Sequence, residues 1–134
     1  MKYSKELEWL RPYVEKARVC VPNIDKLDAL YKIPLKKDKR QTIAGVCHEQ
    51  GGRYKIYLYT EYNSIKKYNP LTLKRKPYSK IDIIEHLAHE LSHMVHWDHC
   101  PKRLILQSQL AIIFAGLLYF DGYESEEHEF GEKK

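Results

Sequence analysis

Hydrophobic residues recur at helical spacing in two stretches of the second half of the chain. The first stretch has an apolar stripe along residues 80–97, formed by Ile81, Ile84, Ala88, Leu91 and Val95. This stripe predicts an amphipathic helix that packs on a core. The preceding Ser79, with Asp82 three residues later, resembles a capping box, so the helix should begin near Lys80. The second stretch, residues 102–120, is apolar nearly all round and predicts a core helix that ends at Asp121-Gly122.

The first half of the chain has mixed signals. Two β-prone runs flank Gly51-Gly52 and predict a hairpin, whose second strand places Ile56 and Leu58 on one face. Helical spacing predicts a helix over residues 4–19, interrupted early by Pro12, and a short helix over 23–31. Prolines at 70 and 77 predict a long connection before the amphipathic helix. These elements indicate an α+β fold, with a small mixed or antiparallel sheet packed on one long helix.

The length of 134 residues suits one domain, which we assign to residues 1–122, followed by an acidic tail over 123–134. The N-terminus carries charges throughout, so we expect no signal peptide. The longest apolar run has 11 residues, over Leu110 to Phe120, which predicts no membrane span. Three cysteines without a C-x-x-C pair fit a reducing compartment, and we expect a cytoplasmic protein.

Charge is unevenly distributed along the chain. Residues 1–80 hold 19 Lys and Arg against 8 Asp and Glu, whereas residues 81–134 hold 4 against 10. The basic residues concentrate in segments 32–40 and 65–76, which are most simply solvated loops. Contact with nucleic acid phosphates through these loops is the alternative interpretation.

The amphipathic helix carries the sequence HELSHMVHWDH over residues 89–99. On a helix, His89 and His93 project from one face, one turn apart, and their nitrogens can bind one Zn²⁺ ion. Glu90 points about 100° away and can reach a water bound to that ion as a general base. This spacing is typical of metal-dependent hydrolases. The alternatives are that the motif arose by chance or that the two histidines are buried without a metal.

The third ligand has three candidates. His99 follows the helix and precedes Cys100-Pro101, so the chain can bring it back to the ion if the helix ends near Trp97. The alternatives are Glu126 and Glu127 in the tail, and the tail could also fold over the site as an inhibitor. His96 lies about 10.5 Å along the helix axis from His89 and cannot share one ion with it; His86 is expected to be a wall residue or an exposed one.

The motif resembles the zincin metallopeptidases, and residues 41–104 are most similar to the SprT-like group. That resemblance rests on QTIAGVC, the strand KIYLYTEY, the helix IDIIEHLAHELSH, and His99-Cys100-Pro101 in place of a His-Gly-Pro element. A minimal gluzincin, with a tail glutamate as third ligand, is the second choice. The resemblance implies a zincin-like sheet whose edge strand binds the substrate; we assign that edge to the strand from Tyr54 to Tyr62.

The sequence therefore predicts a zinc-dependent metalloendopeptidase. Its predicted site consists of His89, His93 and His99 as metal ligands and Glu90 as general base, with Zn²⁺ as cofactor and a protein or peptide as substrate. The alternative is a nucleic-acid- or protein-binding module with a structural zinc site. A structural site would have four protein ligands, for which Cys100 is the obvious addition, whereas a catalytic site keeps one position open.

Overall fold

The amphipathic helix lies against a four-stranded sheet and a second long helix. The computed structural model describes residues 1–36, 43–66 and 69–122, with the backbone alone over 63–66 and 69–75. Short 3₁₀ turns over Lys5–Leu10, Ala17–Val19 and Ile24–Lys26 connect elements in the first quarter of the chain. The strands and α-helices are β1 (Lys2–Tyr3), α1 (Arg11–Lys16), β2 (Leu27–Lys32), β3 (Gly45–Gln50), β4 (Arg53–Leu58), β5 (Glu61–Lys66), β6 (Asn69–Pro77), α2 (Lys80–Ser92) and α3 (Pro101–Phe120).

The four-stranded sheet is mixed, with the strand order β1-β2-β4-β3. Strands β1, β2 and β4 are parallel, and β3 is antiparallel to β4. The β3–β4 hairpin turns at Gly51 (φ 60°) and Gly52 (φ 78°), because a two-residue hairpin turn of this hand requires positive φ at both positions. The predicted hairpin and the predicted α+β class are both confirmed.

The core lies between the sheet and the two long helices. Ile56 and Leu58 of β4 are fully buried against Leu87 and Leu91 of α2, and Phe114 of α3 closes the same core. The start of α2 is as predicted, since the Ser79 hydroxyl accepts a hydrogen bond from the Asp82 backbone N–H at 3.2 Å. The predicted helix over 102–120 is confirmed as α3, and Gly122 (φ 80°) follows its end.

Three expectations for the first half of the chain are wrong. Residues 27–32 form β2 rather than a helix, because pairing with β1 and β4 on both sides overrides the helix propensity of LDALYK. The expected helix over 4–19 is broken into 3₁₀ turns around the short α1, which has a proline in its first turn. The expected connection before α2 contains a two-stranded antiparallel sheet, β5 and β6.

The assignment of the sheet edge is also wrong. Strand β4 pairs with β2 on one side and with β3 on the other, so residues 54–58 lie inside the sheet. Tyr62 belongs to β5, in the separate two-stranded sheet. The edge that lies beside α2 is β3, and its N-terminal residue Gly45 is in contact range of Glu90. Any substrate that adds a strand near the histidines would therefore pair with β3.

Helix α3 has one buried face and one exposed apolar face. Ile112 (73% exposed), Tyr119 (78%) and Phe120 (88%) lie on the exposed side, while Leu110 and Phe114 face the core. By length and mean hydropathy (1.5), α3 would be able to cross a membrane. This is weak evidence, since core helices meet the same criteria, and the expectation of no membrane stays a prediction. The tail over 123–134 lies outside the described residues.

Candidate metal centre

The two histidines of the H-E-x-x-H motif lie side by side at the end of α2. His89 is in the last turn of the helix, and His93 is its C-cap residue with helical backbone angles (φ −68°, ψ −20°). The i, i+4 relation therefore survives, although α2 ends at Ser92. The two Nε2 atoms are 3.3 Å apart, and the ring centroids are 4.9 Å apart.

A turn after α2 brings His99 back to this pair. The helix was expected to continue to about Trp97, but it gives way to a turn over residues 93–95. Asn23 stabilises the turn, since its side-chain amide donates a hydrogen bond to the Met94 carbonyl at 2.9 Å. The His99 ring centroid lies 4.9 Å from that of His93 and 5.9 Å from that of His89. One nitrogen from each of the three rings lies within 4.8 Å of the others.

The hydrogen bonds of the rings fix which nitrogens face the centre. His93 Nδ1 lies 2.8 Å from the Trp97 carbonyl oxygen, and His89 Nδ1 lies 3.1 Å from Gln107 Oε1. The Trp97 carbonyl oxygen only accepts, so Nδ1 of His93 carries the hydrogen and its Nε2 presents a lone pair. Nδ1 of His89 lies between an acceptor, Gln107 Oε1, and a donor, Arg103 Nη1 at 3.3 Å. Burial, together with the positive charge of Arg103, lowers the pKa of both histidines and favours the neutral rings.

A shared metal ion would accept one lone pair from each Nε2 atom. Two nitrogens bound to one zinc at about 2.0–2.1 Å in tetrahedral geometry are about 3.3 Å apart. The observed separation of the two Nε2 atoms is therefore the one a shared metal ion would need. The three histidines fit a metal ion. Several divalent transition metals bind imidazole nitrogens, so the donor atoms alone do not select one metal.

Arg103 and Gln107 of α3 support His89 from behind. Arg103 is only 2% exposed, and its Nη1 donates to Gln107 Oε1 at 2.8 Å and to Ser92 Oγ at 3.1 Å. The first bond fixes the orientation of the Gln107 amide, because the opposite orientation would point its NH₂ group at the guanidinium. The sequence patterns did not identify either residue. The available signal was a charged residue, Arg103, one helical turn before a glutamine, Gln107, in a mostly apolar helix.

We expect Gln107→Leu to weaken zinc binding by about 10–100-fold, because it removes the oxygen that orients His89. The measurement is competition for zinc against a chromophoric chelator. Gln109→Leu is the matched control, since this exposed glutamine lies on the same helix and has no described contact with the cluster. Equal zinc affinity in wild type and Gln107→Leu would contradict the role of this hydrogen bond.

Glu90 is a buried carboxylic acid beside the histidines, with 6% of its surface exposed. Burial raises its pKa to about 7, although the positive charge of Arg103 and a hydrogen bond from the Cys47 backbone act in the other direction. Gly45 lies beside it: a Cβ there would be in contact with Glu90 Oε2 at 3.4 Å, but it would clash with Leu58 Cδ2 at 2.7 Å and with the Tyr57 carbonyl oxygen at 2.8 Å. A carboxyl group with this pKa can both accept and return a proton near neutral pH.

This burial predicts a pH-dependent stability of the metal-free protein. The pKa of Glu90 is about 7 in the folded protein and takes its ordinary value of 4.5 when the chain is unfolded. The free energy of unfolding therefore falls as pH rises from 4.5 to 7. We expect Glu90→Gln to stabilise the metal-free protein at pH 8 by roughly 2–3 kcal/mol, and the gain to disappear by about pH 4. Urea denaturation at both pH values measures it. Glu85→Gln, which alters an exposed carboxylate on the same helix, is the control.

Two cavities meet at His89 and Glu90. The first, of about 380 Å³, is bordered by Glu85, His86 and Gln107. The second, of about 330 Å³, is bordered by Val46, Cys47, Trp97 and the other two histidines. Together they form a cleft that follows the edge strand β3 across the histidine cluster.

The remaining candidates do not join the cluster. Within the described part of the chain, no fourth His, Cys, Asp or Glu lies with the three histidines. Cys100 is the N-cap residue of α3, and His86 forms an edge contact with Tyr78 at 4.8 Å, as expected of a wall residue. Burial raises the pKa of Cys47 to about 12, which keeps this neighbouring thiol neutral. Glu126, Glu127 and the inhibitory role of the tail lie outside the described residues.

Comparison with known proteins gives one distant structural match. No protein-family model matches the chain, and no curated protein matches it. A crystal structure of a Wss1 mutant from S. pombe aligns with 81% of this chain and 89% of that chain, at 19% sequence identity and a TM-score of 0.43. A similarity of this size leaves the site to be interpreted from its own residues.

Proposed function

We propose that the protein is a zinc-dependent metallopeptidase of the zincin type, similar to the SprT-like group, that acts in the cytoplasm. The observation that carries the proposal is the pair of Nε2 atoms, 3.3 Å apart, beside a third histidine and a buried glutamate. Three imidazoles are the ligand set of a zinc ion that activates water, whereas carboxylates and carbonyls would suit magnesium or calcium. His99 is the proposed third ligand.

Glu90 performs the proton transfers in this proposal. Zinc held by three imidazoles lowers the pKa of water to about 7 and polarises a carbonyl oxygen. In this proposal the Glu90 carboxylate accepts the proton of the attacking water and donates it to the nitrogen of the leaving amine. The Cys47 N–H holds the carboxylate in place.

The substrate is proposed to bind as an extended strand beside β3. Among the strands that the structure describes, β3 pairs only with β4, and its other edge is where a peptide could pair. Gly45 at the start of β3 lies next to Glu90, which would place the backbone of such a peptide at the histidine cluster. In this proposal the substrate pairs with residues 45–50, and not with residues 54–62.

A module with a closed structural zinc site is less well supported. Such a site needs a fourth protein ligand, and none of the described residues supplies one. The basic segments considered for nucleic acid contact, 32–40 and 65–76, fall largely among residues whose side chains are not described. Their contact with DNA or RNA stays a prediction.

Metal removal tests the proposed function. We expect a strong zinc chelator to abolish cleavage of an unfolded, fluorescently labelled protein, because the water would lose its activation. One equivalent of zinc should restore cleavage, whereas magnesium should not. Cleavage that persists after the zinc content has fallen to zero would refute the proposal.

A further inference from the structure

We infer that the exposed face of α3 is the contact surface of a homodimer, in which α3 packs antiparallel against the α3 of a second copy of this chain. The inference does not depend on the proposed peptidase function. Arg103 and Gln107, through which α3 contacts His89, lie on the other side of the helix. The contact between the two copies would therefore leave both histidine clusters uncovered.

Six exposed positions form one stripe along α3. Their spacing alternates between four and three residues, as it does for the contact positions of two packed helices. The six residues are Pro101, Ile105, Ser108, Ile112, Ala115 and Tyr119. Residues 104–120 include no Asp, Glu, Lys or Arg. A helix that is apolar on all sides is normally covered on all sides, so this face is expected to have a partner.

The exposed apolar surface of α3 is large enough for a dimer contact. Five large apolar residues expose between 53% and 88% of their surface, namely Leu104, Ile105, Ile112, Tyr119 and Phe120. At about 200 Å² for a fully exposed side chain of this size, they expose roughly 700 Å² together. This area is larger than the largest apolar patch of a typical monomer, about 300–600 Å². It approaches the roughly 800 Å² that each partner buries in a standard interface.

The stripe is complementary to itself when the two helices are antiparallel. Its large residues, Ile105, Ile112 and Tyr119, alternate with the small residues Ser108 and Ala115. In an antiparallel pair, the large side chains of one helix can pack over the small side chains of the other. In a parallel pair, small residues would face small residues and leave gaps. The Ser108 hydroxyl already donates to a backbone carbonyl one turn earlier at 3.0 Å, so its burial leaves no unpaired donor.

A membrane and the tail fit this face less well than a second copy does. A helix in a membrane interface typically has several Lys or Arg residues along its polar face, whereas Lys102 is the only exposed cation of α3. If α3 crossed a bilayer, it would have to give up its packing on α2 and expose the buried Arg103 to lipid. The tail has five glutamates in residues 123–134, and covering an uncharged stripe with them would desolvate their charges.

Sedimentation of the full chain over a range of concentrations tests the inference. We expect the wild type to have twice the mass of one chain at micromolar concentration. Ile112 is near the middle of α3, so it lies near the twofold axis of an antiparallel pair. Ile112→Lys and Ile112→Glu should each weaken the dimer by at least about tenfold, because two identical charges would face each other in an apolar contact. Val19→Lys, which places the same charge at an exposed apolar position outside α3, should leave the dimer unchanged.

Mixtures of variants identify the second copy and its orientation. Ile112→Lys mixed with Ile112→Glu should recover dimers, since opposite charges then face each other. Ile105→Lys mixed with Tyr119→Glu should also recover them, because these positions at opposite ends of the stripe approach each other only in an antiparallel pair. Recovery instead from Ile105→Lys mixed with Ile105→Glu would show a parallel pair and overturn the arrangement.

Other results would overturn the dimer itself. One is a wild type that stays monomeric at high concentration. A second is an unchanged dimer in both Ile112 variants, with circular dichroism showing that they are folded. Binding of a monomeric wild type to vesicles of neutral lipid, lost in Ile112→Lys, would assign the face to a membrane. A chain that dimerises only after truncation behind Gly122 would assign it to the tail.

Discussion

Glu90→Gln is expected to lower kcat/KM for peptide cleavage by about 10²–10⁴-fold, because glutamine cannot accept the proton of the attacking water. The substitution keeps the shape of the side chain and retains one oxygen for the Cys47 N–H. It leaves His89, His93 and His99 unchanged, so zinc content should stay at one ion per chain. The measurements are steady-state cleavage of a labelled unfolded protein and metal analysis of the same sample.

The pair of readouts separates catalysis from structure. Lost cleavage with retained zinc identifies Glu90 as part of the chemistry, whereas equal cleavage by both proteins would leave the three histidines as a structural site only. Glu6→Gln is the matched control, because it makes the same chemical change at an exposed position that borders neither cavity of the cleft. It should keep both zinc and most of the cleavage.

His99→Ala is expected to weaken zinc binding by roughly 10³-fold and to abolish cleavage, because a direct ligand contributes more than the 10–100-fold typical of a group that orients one. His99 is exposed and follows the turn after α2, so its removal should leave the fold intact in the metal-free protein. Competition against a chromophoric chelator gives the affinity, and circular dichroism of the metal-free protein checks the fold.

Three substitutions complete this assignment. His96→Ala should retain zinc, since His96 is not in the cluster although it lies between two of its members. Glu126→Ala and Glu127→Ala should also retain zinc if His99 is the ligand. Zinc retained by His99→Ala but lost from Glu127→Ala would assign the third position to the tail and favour the gluzincin-like alternative.

The sequence predicted the helices of the site better than it predicted the sheet. Ser79 and Asp82 identified the start of α2, and Gly51-Gly52 identified the hairpin, because caps and tight turns depend on a few neighbouring residues. The meeting of His99 with His89 and His93 was also anticipated from spacing. Their roles as ligands stay predictions.

The errors arose where distant contacts decide the structure. Residues 27–32 become a strand only because β1 and β4 flank them, and β4 lies inside the sheet for the same reason. The end of α2 at Ser92 depends in part on Asn23, which is 71 positions from its partner Met94. Arg103 and Gln107 contact the site because α3 packs against α2, and no local sequence pattern predicts that packing.

The hydrogen bond from Asn23 has a consequence for transplanting the site. Grafting residues 89–99 onto a foreign scaffold would transfer every proposed ligand together with Glu90. The graft would lack the amide that closes the turn, the glutamine beside His89, and the strand β3 that lies beside the Glu90 carboxyl group. An eleven-residue loop with this sequence but without these three contacts should bind metal weakly and should not catalyse hydrolysis. Transferring the site to another protein would therefore require residues from four separate regions of this chain.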